Sequence, residues 1–243
     1  MFQVSNVLLN STHINWDAFK RQFTEDWDID ISAESPDKDC LVFTVDWLCV
    51  SCMFIPAPVP NNEAVLYAEN NYTWGEAVEV TSSHQAHVIV SILDPLHTAD
   101  AIECLLLHTK VVSSLLKLDN AIGVCQSPTV LSPEFYIHEA QRIYQGVLPI
   151  LTWVYIGLYQ DEDGVSGFTS GLNKFGKDEI EIIRSQQEGY QIYDMLASIA
   201  AYVIQNNVKL KDGETIGMGP EQKLQITRSE GVAMNGESLK IAF

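Results

Sequence analysis

Residues 41–55 read LVFTVDWLCVSCMFI. β-Branched and aromatic side chains fill the stretch and only Asp46 interrupts it, so it predicts one long bent strand or a tight pair of strands. It is too short to span a bilayer. Pro56, Pro58 and Pro60 end it. Upstream, residues 27–39 are polar and acidic around Pro36 and read as a loop. Before them lies a helix capped by Asn15, with Ile14 stapled onto Phe19 and with Trp16, Phe19 and Phe23 on its inner face. Val4–Leu9 reads as a short strand. Downstream, Thr73-Trp74-Gly75-Glu76 fits a capping box that opens a short helix to Ser83. AHVIVSIL (86–93) is a continuous apolar run and predicts a central strand. From Thr98 to Leu118 a long helix is expected, with Ile102, Leu105, Leu106, Val112 and Leu116 as its stripe.

A Ser/Pro stretch from Gln126 to Pro133 marks a division. Ser132 caps a helix with Pro133 at its first position and Glu134 in its first turn. LTWVYIGLY (151–159) reads as a strand, turned at Asp161–Gly164 into a second one. A helix follows from about Glu188 to Asn206, with Tyr193, Leu196, Ala197, Ala200, Val203 and Ile204 on its stripe. Short strands separated by Asp212-Gly213 and Asn235-Gly236 turns close the chain. The fold class is therefore α+β, with mainly antiparallel sheets and helices packed on one face. It divides into an N-terminal half, 1–126, and a C-terminal half, 127–243, which read as two diverged similar halves.

The 243 residues are 47% hydrophobic and carry a formal charge of −18. So apolar a chain of this length buries a substantial core. So acidic a chain repels nucleic acid and anionic membrane, and neither is expected as a partner. The lysines and arginines are unevenly spread. After Lys38 none occurs until Lys110, and this stretch holds nine acids, a net charge of −9. Glu63, Glu69, Glu76, Glu79, Asp100 and Glu103 are its candidate contacts for a basic protein partner, which a surface of this sign attracts and steers. The five cysteines are odd in number and sit in apolar segments, so they read as reduced thiols in a cytoplasmic protein. No signal peptide is read at the N-terminus.

Candidate chemistry is sparse. Cys49-Val50-Ser51-Cys52 has redox or zinc spacing, but residues three apart in a strand face opposite sides, and no second pair completes a zinc site. His84 and His87 are weak metal candidates that lack a third ligand, and capping or core roles are the alternative. In Lys177-Asp178-Glu179-Ile180-Glu181-Ile182 the alternation puts Glu179 and Glu181 on one face. There they would hold a cation or share acid/base work, or form the wet face of an edge strand. The Gly-containing turns lack the Lys-Ser/Thr ending of a phosphate loop, and no Gly-x-Ser-x-Gly elbow occurs. No cofactor and no catalytic residue are assigned.

The C-terminal half contains Thr169, Gly171, Leu172, Phe175, Gly176, Glu179 and Glu181 in a T-x-G-L-x-x-F-G-x-x-E-x-E-I pattern. It is followed by Asp212, Gly213, Thr215 and Gly217 in D-G-x-T-I-G. Upstream stand Asn71-x-x-Trp74 and His84-x-x-His87. Together these resemble the bacterial domain-of-unknown-function family DUF4261. That family has no established activity, so the resemblance implies no catalytic role for these residues. Similar segments occur in small α+β bacterial families found near secreted toxins, where immunity proteins are common. The leading expectation is therefore a non-enzymatic acidic binding protein of immunity type that neutralises a cognate toxin or effector domain. A metal-dependent hydrolase using Glu179 and Glu181 is the alternative, and a structural homo-oligomer a third.

Overall fold

The computed structural model describes residues 3–31, 35–36, 38–217, 219 and 221–243, with the backbone alone at 35–36. They form two compact units, residues 1–147 and 148–243. The division falls 21 residues beyond the expected one (147 against 126), because Gln126 opens the tight turn of a hairpin. Strands β1 (Val4–Leu9), β2 (Ser35–Pro36), β3 (Cys40–Val45), β4 (Leu48–Ile55), β5 (Ala86–Leu93), β6 (Ala121–Gln126) and β7 (Thr129–Leu131) make one sheet. Its order is β2-β3-β4-β5-β1-β6-β7, antiparallel throughout.

The 41–55 stretch is the pair of strands. It turns at Asp46, which adopts a left-handed φ of 53°, so that Val45 faces Leu48. Of the expected 27–39 loop, residues 32–34 and 37 lie outside the described residues, and Ser35–Pro36 pair with β3 as an edge strand. Helices α1 (Trp16–Trp27), α4 (Ala101–Leu115) and α5 (Pro133–Gln141) cover one face. Phe19, Phe23, Phe43, Val88, Val90, Val111, Leu115 and Tyr136 form the core there. The opposite face is covered at its β1-β6-β7 end by α2 (Glu63–Glu69) and α3 (Ala77–Ser82), over Leu8, Cys125 and Val130.

Asn15 and Ser132 cap as expected, accepting from the Ala18 and Phe135 N–H groups. Three expectations are corrected. α4 starts at Ala101 rather than Thr98, and Asp100 caps it in a full capping box with Glu103. The core side of α4 is broader than the expected stripe, since Cys104, Leu107 and Val111 are buried while Ile102 and Leu106 are half-exposed. Thr73 does not cap α3. Its N–H, its hydroxyl and the Trp74 N–H all donate to Asn71 Oδ1, and Asn71 in turn donates to the Val130 carbonyl at 2.6 Å. The Asn71 amide out-competes the cap because it ties its own loop to β7.

The second unit contains β8 (Tyr155–Asp161), β9 (Gly164–Ser170), β10 (Ile180–Ser185), α6 (Gly189–Gln205), β11 (Thr215–Ile216), β12 (Leu224–Glu230) and β13 (Glu237–Ile241). Its sheet runs β11-β12-β13-β10-β9-β8, with β10 and β13 parallel. The α+β class is as expected, but the two strand orders differ, so the halves do not repeat one topology. Helix α6 lies on one face of this sheet. Gly167 makes that approach close: a Cβ there would stand 2.6 Å from the Ile192 side chain and 2.9 Å from that of Leu196. No helix among the described residues is long and apolar enough to cross a membrane.

Candidate functional site

The acidic run before β10 is bound into the second unit. The Glu179 carboxylate accepts from the Thr169 hydroxyl (2.8 Å), the Gly171 N–H (2.7 Å) and the Asn173 N–H (3.2 Å). It thereby satisfies the open N–H groups of the 3-10 turn Leu172–Phe175. Thr169 Oγ1 accepts in turn from the Ile180 N–H at 2.9 Å. Gly171 holds a φ of +127°, where a Cβ would lie 2.5 Å from the Trp153 carbonyl oxygen, so the position requires glycine. Lys174 donates to that carbonyl at 2.8 Å. Burial pulls its ammonium down to about 8, against the opposing charge of Glu179.

Glu181 lies on an inner strand, not on an edge, and its side chain is 0% exposed. It accepts from the Ala233 N–H (2.7 Å), the Val232 N–H (3.1 Å) and Ser238 Oγ (2.5 Å), and it pairs with Lys240 at 2.7 Å. Burial alone would raise its pKa. Lys240, Ser238 and the two N–H groups outweigh that and hold the carboxyl below its ordinary value. Asp178 is held low by Arg228, which meets it with both terminal nitrogens at 3.1 and 2.6 Å. The two glutamates, expected to act as a pair, are thus tied to different partners and serve as structural locks. Neither is a solvated edge carboxylate.

In the downstream motif Asp212 accepts from the Arg228 N–H at 2.8 Å, and Gly213 turns at φ +82°. Thr215 faces Gln225 across the sheet, and a Cβ on Gly217 would strike the Gln222 carbonyl oxygen. The segment forms one wall of an open groove of about 800 Å³, opposite Ile199 and Tyr202 of α6.

Both histidines bind backbone. His84 Nε2 accepts from the Val59 N–H at 2.8 Å while its Nδ1 meets the Thr81 carbonyl, a pairing that sets the Nδ1–H tautomer. His87 Nδ1 lies 2.8 Å from the Ala57 carbonyl. Burial lowers the His87 pKa, and only the Ala57 bond opposes it. The pair therefore fastens the Pro56–Pro60 connection to the start of β5. Among the described residues no three His, Cys, Asp or Glu side chains are grouped to hold a metal ion. Cys52 is fully buried, with its thiol pushed far up by burial, whereas Cys49 is half-buried on the other face of β4, as strand alternation requires.

The acidic candidates do not form one patch. Glu63, Glu69, Glu76 and Glu79 are exposed on or beside α2 and α3. Asp100 and Glu103 are spent in the α4 capping box on the opposite side of the sheet. The sequence reading missed a bare region instead. Beyond α2 and α3, the same sheet face exposes Met53 (44%), Leu93 (42%) and Val4 (42%), with Trp47 (43%) at its end. The 86–93 run reads as a central strand, yet of its residues only the alternate ones, Ala86, Val88, Val90 and Ile92, point into the main core. The polar Ser51 and Ser91, which face each other here, were the available signal.

Comparison with curated proteins and with solved structures returned no match. Asn71, Trp74, His84 and His87 fall outside the family match found. That match covers residues 168–242, which hold both glutamate locks and the Asp212–Gly217 turn, and over them the second unit is similar to the family described as domain of unknown function (DUF4261).

Proposed function

We propose that the protein is a non-enzymatic binding protein that receives a basic protein partner on its first unit, in the manner of a cytoplasmic bacterial immunity protein neutralising a toxin. One observation carries this. The stretch without lysine or arginine, residues 39–109, contributes three neighbouring strands, β3, β4 and β5, together with α2 and α3. Within it Glu63, Glu69, Glu76 and Glu79 are all exposed on or beside α2 and α3, and no lysine or arginine in these elements offsets them. Such a surface raises the rate of encounter with a basic domain and selects against acidic ones. Occupied carboxylates at Glu179 and Glu181 leave the hydrolase reading without its acid/base pair.

Co-expression with the products of adjacent genes is the test. One of them is expected to be toxic alone, to be tolerated when this protein is present, and to co-purify with it. The reading fails if no neighbouring product binds and none is toxic in its absence.

A further inference from the structure

The bare half of the first unit's sheet has a definite composition. Opposed residues across the strands share a face, so Val42 faces Ser51, Ser51 faces Ser91, Met53 faces Ile89, Cys49 faces Leu93 and Val4 faces Ser91. Their neighbours in sequence, among them Phe43, Val50, Cys52 and Val90, are buried in the core below. The exposed set has apolar members in its middle and at one end, where Trp47 lies in the β3–β4 turn and Leu96, 64% exposed, follows β5. Asp46 and Asp94 stand at that same end, directly after β3 and β5. None of these strand segments carries a lysine or arginine.

A sheet face beside two helices is most readily completed by another helix in the same layer. We infer that the bare face centred on Met53, Ile89 and Leu93 seats an amphipathic, lysine- or arginine-rich helix of the partner protein. Its apolar side rests on those residues and Trp47, and its cations meet Asp46 and the acids of α2 and α3. This rests on the basic-partner reading and names the recognised element. A second copy of the chain is the wrong occupant, because it brings the same acids, Asp46 and those of α2 and α3, to the contact.

The test uses the full chain and two dye-labelled probes read by fluorescence anisotropy: a helical Leu/Lys amphipathic peptide, and a lysine homopolymer of equal charge. The amphipathic peptide is expected to bind tightly, and Met53→Ser with Leu93→Ser, which removes apolar surface and leaves the charge alone, weakens it at least about tenfold. Homopolymer binding stays unchanged in that variant. Peptide binding that ignores both serines overturns the docking site. If that binding is lost in Glu63→Lys with Glu79→Lys, the basic-partner reading stands with its contact moved to α2 and α3. A dimer in light scattering that the serines dissociate overturns the helix assignment in favour of self-association. Failure of both probes at low ionic strength overturns the site and the basic-partner reading together.

Discussion

Glu181 shows how far a single side chain can be misread from its neighbours in sequence. Alternation with Ile180 and Ile182 sorts the faces correctly, but it cannot show that Lys240 and the Val232–Ala233 backbone arrive to cover the carboxylate. Removing one partner of a buried ion pair leaves the other uncompensated and costs about 3–5 kcal/mol. Glu181→Ala is therefore expected to destabilise the second unit by about that amount in urea titrations. Acid should act in the same direction. The folded-state pKa lies below the ordinary 4.5, so the stabilisation is complete above 4.5 and is lost as pH falls through the lower folded value. Far-ultraviolet spectra against pH would show that limb, and it should be smaller in the Glu181→Ala chain, where Asp178 still contributes. Gly171→Ala forces a strained backbone against the Trp153 carbonyl oxygen and is expected to cost about 1–3 kcal/mol in the same titration.

At the level of elements, strongly periodic or well-capped segments were legible. Val4–Leu9, Ala86–Leu93 and the helix behind Ser132-Pro133 begin where the sequence places them. Short pieces held by tertiary contact were not. Helix α2 has seven residues and no side-chain cap, and its alanines are buried over β7, so its own sequence gives little signal. β7 was hidden inside an apparent linker and β6 just before it went unread, because Gln126–Thr129 reads as a loop until Val124 is seen opposite Leu131. The Pro56–Pro60 connection depends on histidines 25 and 30 residues away. His87 is held below the ordinary 6.5, so its contribution is present above 6.5 and is lost as pH falls through the lower folded value. His87→Asn keeps a donor near the Ala57 carbonyl and cannot titrate. Thermal melts of the first unit should then depend less on pH below 6.5 than those of the parent. Asp100→Ala breaks the α4 capping box and is expected to cost about 1 kcal/mol in the same unit.

For the whole molecule, the α+β class and the presence of two parts were legible, but the position of the division and the strand orders were not. Those depend on pairings between distant segments that no local pattern encodes. Residues 1–147 contain a complete sheet with its helices, and when expressed alone they are expected to melt in one cooperative transition near that of the same unit in the full chain, by calorimetry. The second unit has a different history during synthesis. Its middle strand, β13, is the last of the unit to be made, and β10 must wait for it on one side while already holding β9 on the other. Until then β10 offers a raw edge, and Glu181 has neither Lys240 nor the Val232–Ala233 backbone. The nascent second unit is therefore a sheet with a missing middle, prone to pair with the wrong strand, and slow elongation through its final segment prolongs that exposure.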